Sequence, residues 1–161
     1  MPDLEKLLER LIQHDVEFVL IGGYAAMMHG ASSVTFDVDL CCPMSVENIT
    51  RIHQALADLR PFHRETPQEI PFIVRGDLKN CYLSTDLGKI DFLGTMIPFG
   101  DFQETLAHSI EMELPIGRIH VLDCESLIRA KEAAGREKDL LVVKQLRAIL
   151  ESSTSSGKNR S

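Results

Sequence analysis

The sequence predicts an α/β protein in which short buried strands alternate with amphipathic helices. Residues 16–21 form a nearly continuous apolar run, which is typical of a strand at the covered centre of a sheet. Residues 4–12 instead place four leucines and an isoleucine at the spacing of one helix face. A chain of 161 residues with 44% hydrophobic content is sized for one domain with its own core.

The first half of the chain is predicted to alternate between helices and strands. Asp3 can cap the first helix, because its side chain can accept a hydrogen bond from the free N–H groups there. Gly22 and Gly23 form a turn directly after the first strand. The elements predicted after this turn are a short helix over residues 24–29, a second strand over about residues 35–41 and a helix that begins after Ser45.

The second half is predicted to contain short strands followed by a long helical region. Residues 61–71 hold three prolines and mixed charges, so we expect a connection at the rim of the sheet. Asp101 with Glu104 is expected to open a short helix, and Asp123 a long helical region that is broken near Gly135. The strands expected in this half cover residues 72–75, 78–84, 89–93, 110–114 and 118–122.

These elements predict a single domain over residues 1–150 and a disordered, serine-rich polar tail over residues 151–161. No apolar run approaches the roughly 20 residues that span a bilayer, and the N-terminus does not read as a signal peptide. We therefore expect a cytoplasmic protein with no membrane partner. The four cysteines show no metal-ligand spacing and are expected to be reduced.

The charge balance limits the kind of partner. A net charge of −7 argues against broad electrostatic binding to nucleic acid, which usually needs a basic face. It does not exclude a specific nucleic-acid acceptor. Part of the acidity is expected to lie in a metal site, where bound cations would offset it.

Two carboxylates and a pair of glycines predict where the chemistry lies. Asp37 and Asp39 are separated by one residue in a predicted strand, so their side chains point to the same face, within roughly 7 Å of each other. Two like charges placed in this way favour a bound cation. Gly22 and Gly23 let backbone N–H groups approach a ligand, and the N-terminus of the following helix favours phosphate. The stretch predicts a phosphate site beside a divalent-metal site.

With a third carboxylate at Asp91, this arrangement resembles the DNA polymerase beta-like nucleotidyltransferase superfamily. The matching features are the Gly22-Gly23 turn, the Asp37-Val38-Asp39 strand and Asp91 on a later strand. Residues 29–40 and 127–146 are most similar to the small AbiEii-type nucleotidyltransferases. The resemblance covers nearly all of the chain that is expected to be ordered. It implies a mixed β-sheet with helices packed mainly on one face and the active site along one edge.

The resemblance also implies a reaction, the transfer of a nucleoside monophosphate from a nucleoside triphosphate to a hydroxyl with release of pyrophosphate. Asp37 and Asp39 would hold the ion that carries the triphosphate. Asp91 would complete a second metal site and draw the proton from the acceptor hydroxyl. The expected cofactor is Mg²⁺ as two ions, with Mn²⁺ as the substitute. Gly22 and Gly23 would donate backbone hydrogen bonds to the phosphates.

Three cations of the late helical region are candidate contacts to the triphosphate or the acceptor: Lys131, Arg136 and Lys138. Each also has a simpler interpretation, because charges on an amphipathic helix usually mark a solvated face or pair with acidic neighbours. One departure is Ser33, which stands where the AbiEii-type branch commonly has an Arg and cannot bind phosphate in a bidentate manner. Either Arg118, Arg136 or another cation replaces it, or activity is weakened or lost.

Two function hypotheses follow. The first is a metal-dependent nucleotidyltransferase, one version of which is the toxin of a toxin–antitoxin pair. Its partners would be a nucleoside triphosphate, an antitoxin protein and an acceptor that is a tRNA, a protein or a small molecule. The second is a catalytically silent member of the fold that binds nucleotide or a partner protein. Retention of the three carboxylates favours the enzyme, whereas Ser33 favours the silent module.

Overall fold

The computed structural model describes residues 2–32, 34–66, 68 and 70–158, which contain six α-helices and nine strands. The helices are α1 (Leu4–Gln13), α2 (Gly22–Met28), α3 (Val46–Leu56), α4 (Phe102–Leu106), α5 (Cys124–Ala134) and α6 (Glu137–Lys158). The strands are β1 (Val19–Ile21), β2 (Asp37–Cys41), β3 (Phe62–His63), β4 (Asn80–Thr85), β5 (Gly88–Leu93), β6 (Thr95–Met96), β7 (Gly100–Asp101), β8 (Ser109–Leu114) and β9 (Gly117–Leu122).

Seven of these strands form one mixed sheet in the order β3–β4–β5–β2–β1–β9–β8. β2 runs parallel to β5 and β1 runs parallel to β9, whereas the other neighbours pair antiparallel. β6 and β7 form a separate small hairpin. The mixed sheet and its helices confirm the predicted α/β class. The parallel β2–β5 pair positions the candidate site, because it brings the end of the first motif beside a strand from the middle of the chain.

Four of the helices begin where the sequence predicts, because a short polar side chain caps each of them. The side chains of Asp3, Ser45, Asp101 and Asp123 each accept a hydrogen bond from the backbone N–H three residues later. The break between α5 and α6 also lies at the predicted place. Gly135 has a φ of 64°, a left-handed conformation that suits glycine at the end of a helix.

One face of the central strands is buried in the core. Val38 and Leu40 of β2, together with Ile90 and Phe92 of β5, have no exposed surface. Helix α1 packs against α3, and α2 lies against β1 and β2. Because successive residues of a strand point to opposite faces, the residues between these four project from the other face of the sheet. That face carries the candidate site.

The structure departs from the sequence prediction in three places. Residues 72–75 are not a strand; the edge of the sheet is β3, which pairs with β4 from inside the proline-containing connection. The turn glycines are part of α2, which begins at Gly22 and not at Tyr24. Helix α6 continues to Lys158, through most of the stretch predicted to be a disordered tail. The single-domain assignment stays a prediction.

Within the part of the chain that the structure describes, no helix has both the length and the apolar character needed to cross a membrane. The four cysteines are free thiols and all are buried.

Candidate active site

The three predicted carboxylates project from one face of two neighbouring strands. Asp39 of β2 is the register partner of Asp91 of β5, and Asp37 lies two residues before Asp39 on the same face. Tyr82 of β4 pairs with Asp91 in turn, so one row of side chains crosses three strands. The sheet therefore brings together carboxylates that are far apart in the sequence.

The carboxyl groups of Asp39 and Asp91 are partly buried and lie close enough for each to affect the pKa of the other. Burial, together with the charges of Asp91 and Asp37, raises the pKa of Asp39 to about 6, and the charge of Lys131 opposes this rise only in part. Burial also raises the pKa of Asp91, although the hydrogen bond and charge of Arg64 act in the other direction. In both cases burial is the largest cause of the rise in pKa, and neighbouring aspartates add to it.

Arg64 is a cation of this site that sequence reasoning missed. Its Nη2 donates to Asp91 Oδ1 at 2.5 Å and its Nη1 donates to the Leu83 carbonyl oxygen at 2.6 Å. Its backbone N–H donates to the Tyr82 carbonyl oxygen at 2.9 Å, which extends the pairing of β3 with β4. The ion pair is shielded, with 22% of the Arg64 side chain and 15% of the Asp91 side chain exposed.

Gly22 lies directly against Asp39. A Cβ atom at position 22 would lie 2.5 Å from Asp39 Oδ2, and the φ of Gly22 is +70°, so both space and backbone require glycine. Gly23 lies close to Thr35, whose Oγ1 would be 3.3 Å from an added Cβ atom. Both glycines are in the first turn of α2, where the backbone N–H groups have no partner within the helix. That these groups donate to a phosphate stays a prediction.

A cleft of about 490 Å³ extends from the carboxylates to α5. Gly22, Asp39, Tyr82, Lys131 and Arg136 are among the residues that line it. The structure thus places one predicted glycine, one predicted carboxylate and two predicted cations on the same cavity. Its volume lies within the range of small-molecule sites, about 300–1,000 Å³.

Asp139 holds the two cations of this cleft together. Its buried carboxylate accepts hydrogen bonds from Arg136 Nε at 2.7 Å and Lys131 Nζ at 3.5 Å. Burial alone would raise the pKa of Asp139, but the hydrogen bond from Arg136 and the charge of Lys131 outweigh burial and lower it. Lys138 is exposed and is not one of the described residues that line the cleft.

Ser33 lies outside the described residues, so its effect stays a prediction. Of the cations expected to replace the missing Arg, Arg136 lines the cleft. Arg118 lies on β9 with its side chain 62% exposed, 3.8 Å from Glu111. Arg64 is a further cation at the carboxylates, and no local pattern in the sequence marks it, because it meets Asp91 only through the pairing of distant strands.

The donor set at Asp37 and Asp39 fits a divalent cation, since carboxylate oxygens are the ligands that Mg²⁺ prefers. Asp91 differs, because Arg64 already pairs with one of its oxygens. Among the residues that the structure describes, no three His, Cys, Asp or Glu side chains are grouped so that they could hold an ion together. The residues present therefore fit an ion at Asp37 and Asp39 and do not form a cage of three carboxylates.

Three solved structures are similar to this chain over nearly its whole length. TM1012 from Thermotoga maritima, provisionally assigned as a nucleotidyltransferase, is 19% identical, with a TM-score of 0.54 over 92% of this chain and 91% of its own. The lincosamide antibiotic adenylyltransferase LnuA, solved with lincomycin, is 17% identical, with a TM-score of 0.62 over 91% and 95%. ANT(2'')-Ia, solved with adenylyl-2''-tobramycin, is 12% identical, with a TM-score of 0.60 over 94% and 89%.

The chain has the nucleotidyltransferase fold. This confirms the fold that the Gly-Gly turn and the three carboxylates imply. No family model and no curated protein matches the sequence. The expected closeness to the small AbiEii-type branch stays a prediction.

Proposed function

We propose that this protein is a metal-dependent nucleotidyltransferase that transfers a nucleoside monophosphate from a nucleoside triphosphate to a hydroxyl group. The observation that carries the proposal is the pairing of Asp39 with Asp91 beside Gly22, at the wall of a cleft that Lys131 and Arg136 also line. Carboxylates on one side and cations on the other are what a metal-bound triphosphate requires. The shared fold of the three similar structures supports the same reaction class.

In the proposed reaction the acceptor oxygen forms a bond to the α-phosphorus, and the bond from that phosphorus to the pyrophosphate oxygen breaks. Asp91 takes the proton of the acceptor hydroxyl, either directly or through water. The first backbone N–H groups of α2, at Gly22 and Gly23, donate to the phosphates. Lys131 and Arg136 offset phosphate charge from the α5 side of the cleft. Lys138 is exposed and outside the cleft lining, so it would contact only a part of the triphosphate that extends out of the cleft.

Asp37 and Asp39 are the residues that would hold Mg²⁺, or Mn²⁺ in its place. When bound, the ion neutralises charge that develops on the phosphates and orients them. The protein itself positions the charged groups around the ion and the phosphates. The buried strands β2 and β5 fix the carboxylates, and Asp139 fixes the cations opposite them.

The acceptor is proposed only as a class. LnuA was solved with lincomycin and ANT(2'')-Ia with an adenylylated tobramycin, so a hydroxyl-bearing small molecule is one candidate. A tRNA and a protein are the others, and either would suit the toxin of a toxin–antitoxin pair with an antitoxin protein as its partner. A toxin slows growth when expressed, and Asp39→Ala should relieve the effect. If the wild type and this variant slow growth equally, the toxin hypothesis is wrong.

One observation favours the second candidate, a silent nucleotide- or protein-binding module. Arg64 pairs with Asp91, the carboxylate assigned to the acceptor hydroxyl, and so already bonds one of the two oxygens that would take the proton. A silent module would bind the triphosphate without releasing pyrophosphate. Pyrophosphate release in the presence of candidate acceptors therefore separates the two functions.

Calorimetric titration with each of the four ribonucleoside triphosphates, with and without Mg²⁺, tests the proposal. We expect the wild type to bind at least one triphosphate only with Mg²⁺, and Asp37→Ala and Asp39→Ala each to weaken binding about tenfold or more, which is about 1.4 kcal/mol. Asp86→Ala is the matched control, because Asp86 pairs with Arg60 in an exposed position. Failure of the wild type to bind any triphosphate would contradict the proposal.

A further inference from the structure

Arg64 is held in place from two sides and differs from the other arginine of the same segment. One of its terminal nitrogens donates to Asp91 and the other donates to the Leu83 carbonyl oxygen. Arg60, four residues earlier, also pairs with an aspartate, but 84% of its side chain is exposed, against 22% for Arg64. An exposed pair is held weakly, whereas a shielded guanidinium bonded at both terminal nitrogens has little freedom to leave.

The position of Arg64 within the sheet is as specific as its hydrogen bonds. Its backbone N–H bonds to the carbonyl of Tyr82, and Tyr82 is the register partner of Asp91. Asp91 is in turn the register partner of Asp39. The guanidinium thus lies at the Asp91 end of the row formed by the two carboxylates, and Arg64 is not among the described residues that line the cleft with Lys131. One end of this row of carboxylates is therefore already occupied by a cation of the protein itself.

The carboxylates of this row and Arg64 together leave two negative charges, which one divalent ion balances; Lys131, whose charge also acts on Asp39, is itself paired with Asp139. Three carboxylates face the site, at Asp37, Asp39 and Asp91. The guanidinium of Arg64 offsets one of these charges, and a single divalent ion at Asp37 and Asp39 offsets the other two. A second divalent ion at Asp91 would lie close to a fixed guanidinium, and like charges at short range repel strongly inside a protein. It would also have to compete for an oxygen that Arg64 already bonds.

We propose that Arg64 serves as the second cation of the site, so that a single divalent ion, held by Asp37 and Asp39, accompanies the triphosphate. This inference rests on the proposed function and narrows it, since the sequence resemblance implies two ions. Arg64 acts through Asp91 and is therefore a positioning residue. Its hydrogen bond holds the carboxyl group of Asp91 beside that of Asp39, so that no metal ion is needed to hold it there.

The test counts protein-bound Mn²⁺ and bound nucleotide by equilibrium dialysis against Mn²⁺ and a triphosphate analogue with an α,β-methylene bridge. We expect one Mn²⁺ per bound nucleotide in the wild type. Arg64→Gln removes the guanidinium charge and should admit a second Mn²⁺, with an affinity at Asp91 at least about tenfold higher than in the wild type. Arg64→Lys retains a positive charge and should still bind one Mn²⁺. Arg60→Gln is the matched control and should also bind one.

The double variant Arg64→Gln/Asp91→Asn locates the second ion, because it should return the count to one. A wild type that binds two Mn²⁺ per nucleotide, with no change in Arg64→Gln, would overturn the inference while leaving the proposed function intact. A wild type that binds neither Mn²⁺ nor the analogue would overturn the proposed function and this inference with it. If Arg64→Gln does not fold, the wild-type count still decides, since two ions contradict the inference.

Discussion

At the scale of single residues, the carboxylate of Asp39 depends on the absence of a side chain at position 22. An added Cβ atom there would lie 2.5 Å from Asp39 Oδ2, closer than side-chain carbons approach oxygen in proteins. The backbone at Gly22 is also left-handed, with a φ of +70°. The same residue therefore determines the shape of the turn and the position of a proposed metal ligand.

Gly22→Ala is predicted to destabilise the protein and to abolish Mg²⁺-dependent triphosphate binding. The left-handed backbone costs about 1–2 kcal/mol for alanine, and the overlap with Asp39 adds about 1–3 kcal/mol. Urea denaturation and calorimetric titration measure the two effects. Gly135→Ala is the matched control, since its φ is +64° but the nearest atom to an added Cβ is 3.9 Å away. Equal destabilisation by the two variants would show that the contact with Asp39 is not close.

The sequence predicts the placement of residues that belong to a short local pattern. Asp37 and Asp39 are recognisable because the spacing of two places both on one face of a strand. Arg64 has no such pattern, because its role depends on the pairing of β3 with β4 and of β4 with β5. The sequence also predicts that the late cations can pair with acidic neighbours, of which Asp139 is one, but the burial of Asp139 is a tertiary property.

At the scale of elements, the pairing of α5 with α6 positions the cations of the cleft. Lys131 belongs to α5 and Asp139 to α6, and their ion pair is buried, with 11% and 6% of the side chains exposed. Arg136 lies in the connection between the helices and bonds the same carboxylate. Asp139 therefore joins two helices and orients two groups proposed to meet the triphosphate.

Asp139→Asn is predicted to lower the free energy of unfolding by about 2–3 kcal/mol, because it leaves the buried Lys131 ammonium without a charged partner. The effect depends on pH. The pKa of Asp139 is lowered in the folded protein, so its stabilising contribution is complete above the unfolded value of about 3.9 and is lost as the pH falls through the folded value. Urea denaturation at neutral pH and at pH below about 4 should show that the free energies of unfolding of variant and wild type differ less in acid.

The Glu132–Arg147 pair supplies the control for this prediction. It also connects α5 with α6, but 45% of the Glu132 side chain and 58% of the Arg147 side chain are exposed. Glu132→Gln should change stability by less than about 1 kcal/mol. A loss as large as that of Asp139→Asn would mean that burial is not what distinguishes the two pairs.

Elements with strong local signals are predicted well from the sequence, and elements that depend on pairing are not. The caps at Asp3 and Asp123 are local and lie where expected. Strand β3 is only two residues long and forms by pairing with the edge of β4. A strand this short inside a proline-containing connection has no recognisable pattern in the sequence. Residues 72–75 carry a strand-like apolar run but are not assigned to a strand, and the neighbouring Pro71 makes an isolated bridge to Phe62.

At the scale of the whole molecule, the mixed sheet converts three separate stretches of sequence into one site. Strand β2 carries two carboxylates, β5 carries the third, and α2 supplies the glycine against which one of them rests. The cleft then extends to α5, near the end of the chain. A fold that brings these parts together gives a chain with a net charge of −7 a local cluster of cations, which is the proposed triphosphate site.

The arrangement of whole elements also explains why the acceptor is harder to predict than the donor. The proposed donor site consists of groups with general chemistry for phosphate, namely backbone N–H groups at the start of a helix, carboxylates and cations. Other groups beside the carboxylates, such as Arg64 and Tyr82, are placed by sheet pairing. No pattern along the sequence states what such a surface binds.

A crystal structure with Mn²⁺ and a triphosphate analogue bridged by α,β-methylene tests the central claim most directly. The anomalous signal of Mn²⁺ should lie between Asp37 and Asp39, with the phosphates extending past Gly22 toward Lys131. Asp91 should remain paired with Arg64. Manganese bound away from Asp37 and Asp39, or an analogue bound outside the cleft, would contradict the account.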